Sequence, residues 1–274
     1  MTLTDRDLAI AAAEAGAAVV RSRYGALLTR VAKAPGDFAT TADLEAEKAI
    51  LDILRIARPD DAVLGEESGY SGPDSTDRTW LVDPLCGTLN YAARTMLAVV
   101  NIALRTESDI TVAVSADPFA QELFWAEGGH ACVRRDGVDE ALTPSADSRL
   151  VDVNLDAPFP NGPAFQAVRL LADGEFAAQF RPRVVSTTLA VAWVAAGRRA
   201  AYVTDGDMRD NVHFASAIAL CQAAGCVVTG IQGQPLHTGV GGLLVAADQV
   251  THADLLAIIG KQFSLYAGSA STRS

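Results

Sequence analysis

Trp80-Leu81-Val82-Asp83-Pro84-Leu85-Cys86-Gly87-Thr88-Leu89-Asn90-Tyr91 carries an apolar run, an aspartate, a turn and a hydroxyl in twelve residues. The apolar start reads as a buried strand that delivers Asp83 to its end. Pro84 and Gly87 then force a turn, which can aim the Leu85 carbonyl inward. Upstream, Gly65-Glu66-Glu67-Ser68 closes another short apolar run, Ala62-Val63-Leu64. Carboxylates at the ends of neighbouring strands can converge on one hard cation, because strand ends point side chains and carbonyl oxygens into a shared crevice.

Working outward, residues 3–31 have helical spacing at Leu8, Ala12, Ala15, Val19 and Val20 and are expected to form one long helix. A second helix is expected from Thr40 to Ala57, with Asp43 and Glu45 in its first turn. Strand-like runs at 98–104, 110–116, 122–125 and 131–134, separated by Asp117-Pro118 and Glu127-Gly128-Gly129, predict an antiparallel meander. Beyond Leu150 the pattern changes to alternating strands and helices, ending in a helix over 253–263. The expected organisation is an α+β domain over 1–148, an α/β domain over 149–267 and a frayed tail over 268–274.

The chain has 274 residues, 50% hydrophobic and 20% charged, enough for a substantial core and unlike a disordered segment. Its 22 Lys and Arg against 33 Asp and Glu give a net charge of −11, which argues against nucleic-acid or anionic-membrane partners. Cys86, Cys132, Cys221 and Cys226 do not form a disulfide framework in a chain of this length. No basic-then-apolar leader is read at the start, and the apolar stretch 214–231 is broken by Gly225. A cytoplasmic setting is the expectation.

The motifs resemble the inositol monophosphatase family of Mg-dependent, lithium-sensitive sugar and polyol phosphatases. That family carries Gly-Glu-Glu, then Asp-Pro-x-Asp-Gly-Thr-x-Asn-Phe/Tyr, then Trp-Asp-x-Ala at a late helix. Asp37-Phe-Ala-Thr-Thr-Ala-Asp43 and Ala116-Asp-Pro-Phe-Ala-Gln-Glu-Leu-Phe-Trp-Ala-Glu127 extend the likeness. The resemblance implies a layered αβαβα sandwich of alternating α and β layers, a homodimer and a small phosphorylated or polyol-like substrate. It also implies that Glu66, Asp83 and the Leu85 carbonyl hold a divalent cation, Mg or Mn. Thr88 paired with Asp43 would orient or deprotonate the attacking water. Gly87, Thr88, Ser186, Thr187 and Asp205 fall at the implied substrate positions.

Two positions depart from the family pattern. Cys86 stands where the first motif has its second aspartate, and His213 stands where the late helix motif has its own. Both aspartates belong to a second cation that stabilises the leaving oxygen, and Mg²⁺ tolerates sulfur and imidazole poorly. Three readings stay open for Asp83, Cys86 and His213. They could form a zinc-type ligand set. His213 could act as general acid or base with Cys86 as a possible nucleophile. Or the site has lost its chemistry, leaving a family member repurposed or non-catalytic. Asp205, Asp207 and Asp210 precede His213 and read either as a solvated acidic loop, with Asp210 capping the helix, or as replacement carboxylates. Val185-Ser186-Thr187-Thr188 replaces the family's Gly-Thr/Ser-Ala-Ala.

Overall fold

The structure is a computed structural model that describes residues 3–27, 29–34, 37–73, 75–155, 165–209 and 211–271. Two compact units divide it: residues 1–142 with 187–192 and 210–224, and residues 143–186 with 193–209 and 225–274.

In the first unit, α1 (Asp5–Arg23) opens on Thr4, whose hydroxyl accepts the Asp7 N–H. Asp5 and Asp7 lie at its start and Arg21 and Arg23 at its end, each sign matched to the helix dipole. The helix stops eight residues short of the expected 31. Gly25 takes φ +79°, a left-handed conformation that ends helices, and a two-stranded hairpin follows, β1 (Arg30–Ala34) with β2 (Asp37–Thr40). Next comes α2 (Thr41–Ala57), whose first turn is a capping box: Thr40 accepts the Ala42 N–H and Asp43 accepts the Thr40 N–H.

The eight-stranded sheet of this unit has β3 (Ala62–Gly65), β4 (Gly69–Ser71), β5 (Arg78–Cys86), β6 (Val99–Thr106), β7 (Asp109–Asp117), β8 (Glu122–Glu127), β9 (His130–Arg135) and β10 (Val138–Ala141). Their spatial order is β10-β9-β8-β7-β6-β5-β3-β4. The run from β6 to β9 is the antiparallel meander that the sequence predicts, and β5 and β10 extend it antiparallel on either side; β3 alone runs parallel to its neighbour β5. One-turn α3 (Thr88–Ala92) follows β5.

Side-chain alternation decides what each sheet face does. Trp80, Val82, Val100, Ile102, Val112 and Val114 pack with Leu8, Val20, Ile50 and Leu54 of the two helices in one buried cluster. The intervening positions Asp83, Asn101 and Ser115 pair across three strands and are fully buried on the opposite face. There they meet α7 (Ala215–Ala224), with the Ser115 and Ser216 hydroxyls 2.9 Å apart.

The second unit contains β11 (Leu150–Val153), α4 (Ala167–Leu171), α5 (Gly174–Gln179), β12 (Arg181–Val184), β13 (Ala201–Thr204), β14 (Val227–Thr229), β15 (Leu243–Ala246) and α8 (Gln249–Ser271); α6 (Leu189–Ala195) begins in the first unit. Its five strands are ordered β12-β11-β13-β15-β14, with β11 parallel to both neighbours. Val151, Val153, Val203 and Leu244 bury against Leu255, Ile258 and Ile259 of α8. Residues 181–184 form an edge strand, and Pro182 with two arginines suits the sheet edge it occupies. His252 lies in α8 with Nε2 2.8 Å from the Thr229 hydroxyl. Helix α8 runs to Ser271, and residues 272–274 of the expected tail lie outside the described residues. No helix among the described residues is long and apolar enough to cross a membrane.

Candidate active site

Asp83 reaches the site because strand parity puts it on the face away from α1 and α2, where it is fully buried. Regular alternation would send Cys86, three residues on, to the other face. An extra residue prevents this: Asp83 pairs with Asn101 and Cys86 with Val99, so three steps on β5 match two on β6. The bulge re-aims Cys86 towards Asp83. Gly87 closes the turn at φ +104°, and a Cβ there would lie 2.5 Å from the Leu97 carbonyl oxygen. Gly87→Ala is therefore expected to destabilise the chain by about 2 kcal/mol or more, through strain and a backbone clash. Thermal unfolding checks this, and a melting temperature within a degree of wild type would refute it.

The Asp83 carboxylate has both oxygens engaged. Oδ1 accepts the Leu85 N–H at 3.0 Å, and Oδ2 lies 2.8 Å from His213 Nδ1. His213, with its side chain 25% exposed, is fixed through its backbone: its N–H donates to Asn211 Oδ1 and its carbonyl accepts from Asn101 Nδ2. Burial opposes the imidazolium, but Asp83, Cys86 and Glu66 outweigh it and hold the His213 pKa well above the ordinary value. The Cys86 thiol is pushed up, by burial first and by Asp83 second. Its Sγ accepts the Thr188 N–H at 3.4 Å. Asp83, Cys86 and His213 thus converge, each offering a ligand atom within 4.8 Å of the others.

Beside this cluster, the Thr88 hydroxyl lies 3.0 Å from Asp43 Oδ1 and 3.1 Å from the Leu85 carbonyl oxygen. Its single proton serves one acceptor at a time. Asp43 Oδ2 is occupied by the Thr40 N–H and hydroxyl. Burial raises the Asp43 pKa, against those hydrogen bonds. Glu66 Oε1 takes the Lys33 ammonium at 2.8 Å, and Lys33 also reaches Glu67 at 2.7 Å. The other Glu66 oxygen, Oε2, is buried without a hydrogen-bond partner. Burial and the Asp83 carboxylate push Glu66 up to about 9, with His213 and Lys33 pulling the other way.

The donor chemistry distinguishes two candidate groups of ligands. Glu66, Asp83 and the Leu85 carbonyl offer oxygen only, and the orphaned Glu66 Oε2 is the kind of group a hard cation satisfies. Asp83, Cys86 and His213 offer one oxygen, one sulfur and one nitrogen, which does not suit Mg²⁺.

Of the other expected residues, Thr187 joins the site: its hydroxyl donates to the Cys86 carbonyl at 3.1 Å. Ser186 and Asp205 fall in the second unit, where Asp205 Oδ1 accepts the Gly206 N–H. Asp207 likewise caps its own loop, accepting the Arg209 N–H, and Asp210 lies outside the described residues. Two residues were not read from sequence. Lys33 sits in an unremarkable Val-Ala-Lys-Ala stretch and gave no signal. Asn101 did give one, as a lone amide inside the apolar run Leu97–Leu104. Its Nδ2 donates to the Thr188 hydroxyl at 2.8 Å and its Oδ1 accepts from Ser115 at 2.7 Å.

Comparison with known proteins places this geometry. The profile of the inositol monophosphatase family matches residues 4–262. An inositol-1-monophosphatase of Caulobacter vibrioides is 32% identical over 229 residues, covering 82% of this chain and 88% of that protein. Nus factor SuhB of Escherichia coli is 31% identical over 230 residues, covering 81% and 83%. Among solved structures, the extragenic suppressor protein suhB of Bartonella henselae superposes with a TM-score of 0.79 at 26% identity, covering 91% of this chain and 97% of that one. The match spans both units and the motifs that build the site, and the chain belongs to the inositol monophosphatase family.

Proposed function

We propose that the chain hydrolyses phosphate monoesters of small sugars or polyols using one hard divalent cation, Mg²⁺ or Mn²⁺, held by Glu66, Asp83 and the Leu85 carbonyl. The observation that carries this reading is the line from Asp43 Oδ1 through the Thr88 hydroxyl to the Leu85 carbonyl, beside the orphaned Glu66 Oε2. A cation bound there would polarise a phosphoryl oxygen and acidify a bound water. Thr88 would take the water proton as it passes its own to Asp43, whose second oxygen is already fixed by Thr40. Thr187 and Thr188 hold the Cys86 turn in place. Because Cys86 and His213 replace two carboxylates at the leaving-group side, ordinary two-Mg catalysis is weakened.

The second reading, a non-catalytic binding protein, is favoured by those same two replacements. Net charge of −11 supports small molecules over nucleic acid as partners, even though some relatives carry the name Nus factor. The test is phosphate release from sugar, polyol and nucleotide monophosphates with Mg²⁺, Mn²⁺ or EDTA. Metal-dependent turnover that EDTA abolishes is expected, with Glu66→Gln lowering it at least about 10²-fold through loss of a charged ligand. Folded protein inert across the panel would leave the non-catalytic reading standing.

A further inference from the structure

We infer that Asp83, Cys86 and His213 form a three-ligand site for one borderline-soft divalent cation of the zinc class, at the place where the family pattern has carboxylates for a second Mg²⁺. The inference concerns the leaving-group side and holds whether or not the first position supports hydrolysis.

Its first support is convergence. One carboxylate oxygen, one sulfur and one imidazole nitrogen approach within 4.8 Å of each other, in a cluster from which Mg²⁺ is disfavoured and for which Zn²⁺ has its ordinary ligands. Three protein ligands leave a fourth tetrahedral position for a water or a phosphoryl oxygen. The second support is orientation. The Leu85 N–H occupies Asp83 Oδ1 and turns Oδ2 towards His213. The Thr188 N–H points at Cys86 Sγ, the donor a coordinated thiolate accepts. Asn101, pinned by Ser115, holds both the Thr188 hydroxyl and the His213 carbonyl, so the two segments that carry these contacts are tied to the same buried amide. In the metal-bound state a thiolate and a carboxylate with neutral imidazole carry −2 together, which a divalent cation cancels. Binding displaces the Cys86 proton to solvent, along with any proton on the ligating imidazole nitrogen, so metal uptake is accompanied by proton release.

The competing arrangement is a closed hydrogen-bonded plug in which His213 simply pairs with Asp83. Cobalt distinguishes them. Metal-free protein titrated with Co²⁺ is expected to develop a thiolate-to-cobalt charge-transfer band and tetrahedral d–d bands at one equivalent, both removed by one equivalent of Zn²⁺. Cys86→Ser should abolish the charge-transfer band, and His213→Ala should weaken Zn²⁺ binding in equilibrium dialysis by about 10-fold or more. Cys132→Ser and Cys226→Ser should leave the band unchanged. Circular dichroism of each variant establishes that it is folded, and Glu66→Gln should keep the cobalt band, which separates this site from the hydrolytic one. No thiolate band in the wild type, or a band that survives Cys86→Ser, overturns the inference. So does zinc stoichiometry that neither Cys86→Ser nor His213→Ala alters, because the metal is then held elsewhere.

Discussion

Replacing Cys86 and His213 together by aspartate is expected to raise Mg²⁺-dependent phosphate release about 10²-fold or more, a gain of roughly 3 kcal/mol in transition-state stabilisation. On the proposed reading the sulfur and imidazole donors sit where a leaving-group cation would need oxygen, and Asp83 alone would not hold Mg²⁺ there. The geometry favours the exchange. His213 is positioned by its backbone N–H and carbonyl, which aspartate retains, and the bulge that aims residue 86 comes from the backbone pairing of β5 with β6. The two changes should act together, because either carboxylate alone leaves an incomplete ligand set. Metal-free double variant should melt below the wild type, since aspartate at 86 and 213 adds like charge beside fully buried Asp83, and Mg²⁺ should restore the loss. Measuring phosphate release and melting temperature against Mg²⁺ concentration checks both halves. An unchanged rate with no Mg²⁺-dependent shift in melting would show that residues 86 and 213 do not hold a second cation position.

Thr88→Val is expected to lower the turnover number by about 10²- to 10⁴-fold, the range for losing a positioned proton-transfer group. Asp43→Asn should fall in the same range, but the two variants should differ in stability. Thr88 contacts Asp43 from outside the α2 cap, whereas Asp43 also accepts the Thr40 N–H and hydroxyl on its other oxygen. The amide loses the negative charge, so its hydrogen bonds from the Thr40 N–H and hydroxyl weaken, and Asp43→Asn should cost about 1 kcal/mol of cap stability. Thr88→Ser, which keeps the hydroxyl, should retain most of the activity. Steady-state kinetics with denaturant unfolding tests the pair. If Thr88→Val turns over at the wild-type rate, the hydroxyl has no part in water activation.

Much of the first unit was legible because its signals are local. The acidic first turn of α2, the apolar run into Asp83 and the Asp-Pro and Gly-Gly turns of the meander are short-range patterns, and the elements lie close to the positions they indicate. The errors were also local. The helical spacing of α1 ran past its true end because Val31 and Ala32 continue an apolar pattern that a hairpin uses equally well, and the left-handed Gly25 is a conformation rather than a residue pattern. Helix α5 and strand β12 were missed because Gly174–Val184 is short and half exposed, with little periodicity to read.

Residue identities alone supply the groups of the proposed site, Glu66, Asp83, Asp43, Thr88, Cys86 and His213, and the resemblance implies aspartates at two of those positions. Donor chemistry follows from residue identity, so the poor fit of sulfur and imidazole to Mg²⁺ needs no coordinates. Which of these groups touch is a matter of how the chain packs. His213 meets Asp83 from 130 positions away, Asn101 ties Thr188 to His213, and Lys33 lies across Glu66 and Glu67. The cause is physical: one extra residue in β5 reverses the face to which Cys86 points, and a strand row of buried polar groups must find partners on whatever segment packs over it.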